Sequence, residues 1–472
     1  MKSFYAVLVA LLVFFTVAMS PGVASAQNKT YWLETYQGAG SISSMPLLTC
    51  PDGGALVVSY TKDANGIKGS ILTKVTSNGS VEWTKEYFGG RVIINALAMA
   101  TDGNVVAAGV YISNETSRFP DGLLMKIDKD GNVVWARSYG GNGTDIISGL
   151  KVLDDGSILA VGLTTSFNAG RGDMWLLKVD SIGNVIWERT YGTLEMDEGT
   201  DLEVASGGDI VVTGLSTSGG VPHGLVFRAD KNGNLKWAKE YTTGSELTIL
   251  KILPTKDGGF HVLGYANLGN GTLGALLMKL DGNGKIVWAR DYYTNGAVLG
   301  RDAAIDPSGN LWLTGMAVTG EGDNTTYYGV LLGVHEGNIT AERVYSPRIV
   351  FKSLMFDQNG DLWVGGLFGI NTSEGAPLVG KLPGNGKLPG CRYLSSLNID
   401  TSTPDIAVSD VSMAASKPNG TSRNVIISTK KLRTQPSVLC TYREGEEKRE
   451  VCGPALMVLL GLSAIPLSRR RS

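Results

Sequence analysis

Charge is scarce in this chain of 472 residues: Asp, Glu, Lys and Arg make up 18%, against a usual share of about 25%. Its 42 basic and 44 acidic residues nearly cancel, leaving a net charge of −2. With no basic stripe to neutralise phosphates, nucleic acid is not an expected partner. Histidine is rarer still. His223, His261 and His335 stand far apart, in no metal-ligand spacing. No Gly-x-Ser-x-Gly elbow and no Walker loop occurs. The segment Asp128-Lys129-Asp130-Gly131-Asn132 opens like a calcium loop but lacks the later ligands and the closing Glu. It reads as a hairpin turn. No cofactor is expected, and calcium is the one ion left open.

Glycine, by contrast, is abundant. Its 63 residues are about 13% of the chain, nearly twice the average, and they fall in a repeat. DKDGNVVWARSY at 128–139 is echoed by DSIGNVIWERTY at 180–191, DKNGNLKWAKEY at 230–241 and DGNGKIVWARDY at 281–292. Trp83, Trp135, Trp187, Trp237 and Trp288 are spaced 52, 52, 50 and 51 apart. A glycine inside an apolar run recurs in step at Gly109, Gly162, Gly214, Gly264, Gly315 and Gly366. Four short apolar runs joined by Gly/Asn turns make up each unit, which predicts a four-stranded antiparallel sheet. A period of this size predicts an all-β fold, a β-propeller.

Seven such sets can be counted. The orphan YWLETY at 31–36 carries Trp32 and Tyr36 at the blade spacing and is expected to close the last blade. Closure removes two exposed sheet edges. An eighth blade, built from that strand and three more from 395–442, is the alternative. Trp32, Trp83, Trp135, Trp187, Trp237 and Trp288 are expected to pack between blades as core. The inner glycine is expected to let neighbouring sheets approach near the axis. A third-strand cation at Lys74, Lys126, Lys178, Arg228 and Lys279 is expected to extend along the blade face to polar turns.

The ends have a different composition. Lys2, an apolar run and Ala24-Ser25-Ala26 make a signal peptide with cleavage between Ala26 and Gln27. This gives four segments: signal 1–26, propeller 27–390, a separate Ser/Thr-rich segment and spacer 391–451, and a tail 452–472. Cys391 and Cys440 bracket the third segment and are expected to form a disulfide. Cys50 reads as a small buried residue. Nine Asn-x-Ser/Thr sequons, at Asn28, Asn78, Asn114, Asn142, Asn270, Asn324, Asn338, Asn371 and Asn419, suit a glycosylated surface protein.

Two resemblances follow from these residues. Cys452-Gly453-Pro454, the apolar stretch 455–467 and Arg469–Arg471 resemble the CGP-CTERM sorting signal of Thermococcus-type archaea. That resemblance implies a processed tail, with Cys452 as the lipid-bearing anchor and the cell membrane as partner. The D-x-x-G-N-x-x-W blades resemble the tryptophan-docking blades of quinoprotein-like propellers over roughly 31–390. The likeness lies in architectural residues. The adjacent-cysteine disulfide and calcium-chelating set of quinoprotein dehydrogenases have no counterpart here, so it implies fold and not activity.

Candidate ligand-binding residues lie in the loops from one blade's outer strand to the next blade's inner strand, which ring one channel mouth. They are Asp145, Glu195, Asp197, Glu198, Asp201, Glu246, Arg301, Asp302 and Arg348. Five acids fall between 195 and 246, suited to a cation, a basic partner or sugar hydroxyls. The expected function is a non-catalytic, surface-anchored binding or envelope protein for a glycan or protein ligand. The alternative is an extracellular enzyme, either a quinone-cofactor oxidoreductase or a polysaccharide-active propeller.

Overall fold

Short apolar runs between Gly, Asp and Asn turns fold as antiparallel strands because each turn stabilises itself. In the 128–132 turn, Asp128 accepts hydrogen bonds from the N–H groups of Asp130 (3.0 Å) and Asn132 (2.7 Å). Gly131 there takes a φ of 78°, a region nearly closed to residues with a Cβ. Both carboxylate oxygens of Asp128 face N–H donors, which would repel a cation. The calcium-like segment is therefore a hairpin turn.

A computed structural model of the protein describes residues 29–37, 46–63, 66–113, 119–167, 171–269, 271–320, 322–369, 375–418 and 420–444, and the backbone of 451–452. Strands assemble into seven sheets arranged as a β-propeller. Blade 1 spans residues 47–88, blade 2 91–140, blade 3 145–192, blade 4 197–242, blade 5 247–293 and blade 6 297–345. Blade 7 takes three strands from 349–382 and its fourth from Thr30–Gln37. That strand pairs with Ala376–Leu382 in antiparallel register, Trp32 opposite Lys381 and Thr35 opposite Leu378. The ring closes as expected, with seven blades and not eight. The core lies in layers between neighbouring blades. In one layer Leu159 and Val161 of blade 3 pack with Leu202, Val212 and Phe227 of blade 4.

The inner glycine has a more local cause than an approach between blades. Each inner strand from blade 2 to blade 7 slips register once, as at Ile94/Ala96 and Ile249/Lys251. Such a β-bulge pushes the inner strand's backbone over its partner. A Cβ on Gly109 would overlap the carbonyl oxygen of Ile93, and one on Gly264 would overlap that of Thr248. The contact is with the strand beside it in the same blade. The third-strand cation pairs with an acid of the inner hairpin turn, as expected: Lys74 with Asp52 (2.6 Å) and Lys126 with Asp102 (2.6 Å).

Each blade seam also carries a tyrosine hydrogen bond. Seven buried phenols, of Tyr36, Tyr87, Tyr139, Tyr191, Tyr241, Tyr292 and Tyr345, each donate to the carbonyl of the next blade's turn glycine. Distances run from 2.5 to 2.9 Å. The tryptophans lie at the same seams, as with Trp83 against Gly131 and Trp237 against Gly284. Only Trp32 and Trp83 of the repeat set are buried. Trp135, Trp187, Trp237 and Trp288 are half-buried.

The segment after residue 390, expected to stand apart, instead runs once round the propeller. Short strands at Leu394–Ser395, Asp400–Ser402, Ala407–Asp410, Ala414–Ser416, Thr421–Asn424, Ser428–Lys431 and Gln435–Arg443 pair with the outer strands of blades 6, 5, 4, 3, 2, 1 and 7 in turn. Each sheet therefore has at least five strands, not four. An outer blade strand leaves a row of unpaired N–H and C=O groups, a ready template for another chain. This belt occupies that template. Isolated apolar residues seat it, including Ile399, Met413 and Ile427 in alternate inter-blade layers. The Cys391–Cys440 disulfide is formed, with Cα atoms 5.4 Å apart, and joins the belt's two ends. Cys50 is half-buried and reduced.

Candidate binding site at the central channel

Inner strands meet around the axis, and their bulges place side chains in columns. Fourteen residues before each inner glycine stand Asn95, Ser148, Thr200, Leu250, Arg301 and Lys352, the bulged residues of blades 2 to 7. Side chains here reach the next blade. Asn95 Nδ2 donates to Ile147 O and Thr200 Oγ1 to Ile249 O, each at 2.9 Å. One residue further, Asp201, Lys251 and Asp302 stand on three successive blades. Lys251 Nζ lies 3.3 Å from Asp201 and 3.9 Å from Asp302.

Both acids are also held by backbone. Asp201 accepts from the N–H of Ile252 at 3.1 Å and Asp302 from that of Leu354 at 3.0 Å. The Asp201 carboxylate, helped by Asp302, holds the Lys251 ammonium above the ordinary lysine range. Burial lifts the Asp302 carboxyl against the pull of Lys251. Two residues along, Lys151 and Glu203 bridge blades 3 and 4 at 2.8 Å. These pairs bind blade to blade along the inner strands that surround the axis.

Arg301 and Lys352 differ from their column. Arg301 is exposed and Lys352 half-buried, on adjacent blades. Burial, with the Arg301 guanidinium nearby, lowers the Lys352 ammonium to about 8.

Of the acids expected at the mouth, only Asp201 and Asp302 come together. Asp145 and Asp197 are wholly buried and staple loops. Asp145 accepts from Ser166 Oγ (2.6 Å), Gly141 N–H (2.9 Å) and Thr164 Oγ1, and Asp197 from Thr193 N–H (2.6 Å). Burial raises both carboxyls, and Glu198 likewise. Glu246 is half-buried in blade 5's entry loop, and Arg348 is exposed with a φ of 66°. Glu195 lies away from these channel pairs. It faces Arg171 at 3.9 Å and lines a groove of about 720 Å³ between blade 3 and the belt. Among the described residues no three His, Cys, Asp or Glu side chains gather as a metal site requires. The described sequon residues Asn78, Asn142, Asn324 and Asn338 are all exposed. Asn28, Asn114, Asn270, Asn371, Asn419, the Ala26/Gln27 junction and the chain after Cys452 lie outside the described residues.

Lys151, Glu203, Lys251 and Lys352 lie inside the inner strands and not in the loops to which the acidic clusters of the sequence point. A signal was available: the constant offset before each inner glycine aligns Arg301 and Lys352 in one column and Asp201, Lys251 and Asp302 in the next.

One buried acid outside the channel yields a pH prediction. Asp291, on blade 5's outer strand, is 1% exposed, and its Oδ1 has no hydrogen-bond partner among the described residues. Burial lifts its carboxyl to about 7. The folded protein thus holds a proton that the unfolded chain releases near pH 4, and stability falls as pH rises between those values. Asp291→Asn is expected to stabilise by roughly 2–4 kcal/mol at pH 8 and by little at pH 4, since each pKa unit is about 1.4 kcal/mol. Denaturant melts at both pH values check this. An equal gain at both would refute it.

No family model matches the chain. Regulatory protein FlaEY of Caulobacter vibrioides is 28% identical over 202 residues, covering 39% of this chain and 19% of that protein. The chain thus spans about a fifth of that relative's length. Among solved structures, a protein of unknown function from Dyadobacter fermentans aligns with a TM-score of 0.40 at 10% identity, covering 75% of this chain and 98% of that one. Endo-1,5-alpha-L-arabinanase from Thermotoga petrophila gives 0.27 at 10%, covering 74% and 99%. A bifunctional GH43-CE protein from Bacteroides eggerthii gives 0.28 at 12%, covering 84% and 64%. Alignments with TM-scores this low carry no argument about function; the strand pairing of the chain itself makes it a belted, seven-bladed β-propeller.

Proposed function

We propose that this chain is an exported, surface-held and non-catalytic β-propeller that binds a glycan or protein ligand at its channel. One observation carries the reading. The carboxylates that reach the channel are engaged by Lys251 and by backbone N–H groups. Glycoside hydrolysis uses two carboxyl groups free to act as acid and as base or nucleophile. Acids held by a lysine and a strand N–H suit a rigid lining instead. Export through 1–26 and attachment through Cys452 complete the proposal, because an exposed polar rim with accessible sequons suits the outer cell surface.

The test uses the exported chain from Gln27 onward. Glycan and peptide arrays, with and without calcium, are expected to give binding without product. Turnover that disappears in Asp201→Asn or Asp302→Asn would establish the enzyme reading instead. Cell fractionation tests attachment: Cys452→Ser is expected to leave the membrane fraction. A variant retained there at the parent's mature mass would show that Cys452 is not the anchor.

A further inference from the structure

We propose that the channel carries an oxyanion site between blades 6 and 7, where Arg301 and Lys352 together bind a carboxylate, sulfate or phosphate group. This deepens the binding reading above by naming the ligand's chemistry. The first support is position. Both residues occupy the bulge column of adjacent inner strands, and polar side chains in that column face the next blade near the axis. Asn95 and Thr200 are consumed there by backbone carbonyls of the following blade.

The second support is the lack of an internal counter-charge. Among the described residues, neither Arg301 nor Lys352 forms an ion pair or side-chain hydrogen bond. Asp302, next to Arg301 in the chain, is held by the N–H groups of Leu354 and Ala303 and faces Lys251. Cations elsewhere in the lining are matched: Lys151 by Glu203, and Lys251 by two acids. Two neighbouring cations, one of them half-buried, repel each other and lose hydration. An anion from solution relieves both costs. Arg301 adds a planar fork of donors suited to the paired oxygens of an oxyanion. The lowered ammonium of Lys352 is consistent with a site built for an absent negative charge.

The experiment is amine acetylation of the intact exported protein at pH 8, read for each lysine by peptide mass spectrometry. Buffers hold chloride, sulfate, phosphate or acetate at matched ionic strength. An oxyanion at the site raises the Lys352 pKa; from about 8, the first unit lowers the free-amine fraction at pH 8 roughly fivefold and each further unit about tenfold. Labelling of Lys352 is expected to slow by about tenfold or more in at least one oxyanion, while exposed Lys129 is unchanged. Arg301→Gln is expected to remove that protection. Equal Lys352 rates in all four anions overturn the site, and so does protection that survives Arg301→Gln. Glucuronate and sulfated oligosaccharides, run beside inorganic sulfate, separate an acidic glycan from a free anion: protection at far lower concentration by the oligosaccharide assigns the glycan. If sulfate protects while the arrays stay blank, the site stands and the wider reading falls. If neutral ligands bind and no anion protects, the reverse holds.

Discussion

Replacing both Cys391 and Cys440 with serine is expected to cost about 4 kcal/mol, the chain-entropy value for a closed loop of roughly fifty residues. The effect should first appear as local loss of the belt. Its strands are short and mostly exposed, and each holds its blade by a few backbone hydrogen bonds with an occasional apolar anchor. Opened at the disulfide, the belt frays from blade 7, where Gln435–Arg443 pairs with Thr30–Gln37. Hydrogen exchange is expected to show amides of 428–443 losing protection before those of the inner strands. A variant that melts at the parent's denaturant midpoint, with belt amides equally protected, would show that the buckle contributes nothing.

Gly264→Ala is expected to be the most damaging conservative change in the propeller. Its new methyl would overlap the carbonyl oxygen of Thr248, and backbone inside a packed blade cannot move aside cheaply. A loss of about 3–5 kcal/mol, or failure to accumulate, is expected. Gly258→Ala is the matched control. Gly258 has a φ of 83° but open space around its missing Cβ, so it should lose only about 1 kcal/mol, from left-handed strain. Equal losses at the two positions, measured by denaturant midpoint and secreted yield, would remove the bulge as the reason for the inner glycine.

Much of the fold was legible because a propeller repeats its solution. Trp32 and Tyr36 showed the closing strand by spacing alone, and third-strand cations such as Lys74 and Lys126 reach the polar turns expected of them. The belt was not legible because its strands are short and largely exposed, anchored only at isolated apolar residues, so it carries no alternating apolar pattern. Its signal is slower. Leu397, Val411, Val425, Leu432 and Leu439 fall on one seven-residue period, with Pro404 and Pro418 at the remaining steps. Ile399, Ile406, Met413 and Ile427 fall on another. Seven residues of extended chain span about 23 Å, one step between neighbouring outer strands. The site was legible only in part for a related reason. Acids were counted along the sequence, whereas Asp201, Lys251 and Asp302 meet across three blades.

The meeting of Thr30–Gln37 with Gln435–Arg443 also bears on orientation. Both ends of the described propeller leave from the rim of one blade. A tether through either end would therefore pull on the rim of blade 7 and not on a channel mouth, so neither mouth would be blocked by the attachment itself. Large partners could approach each opening from the surrounding medium, and blades 3 and 4 would stand farthest from the point of attachment.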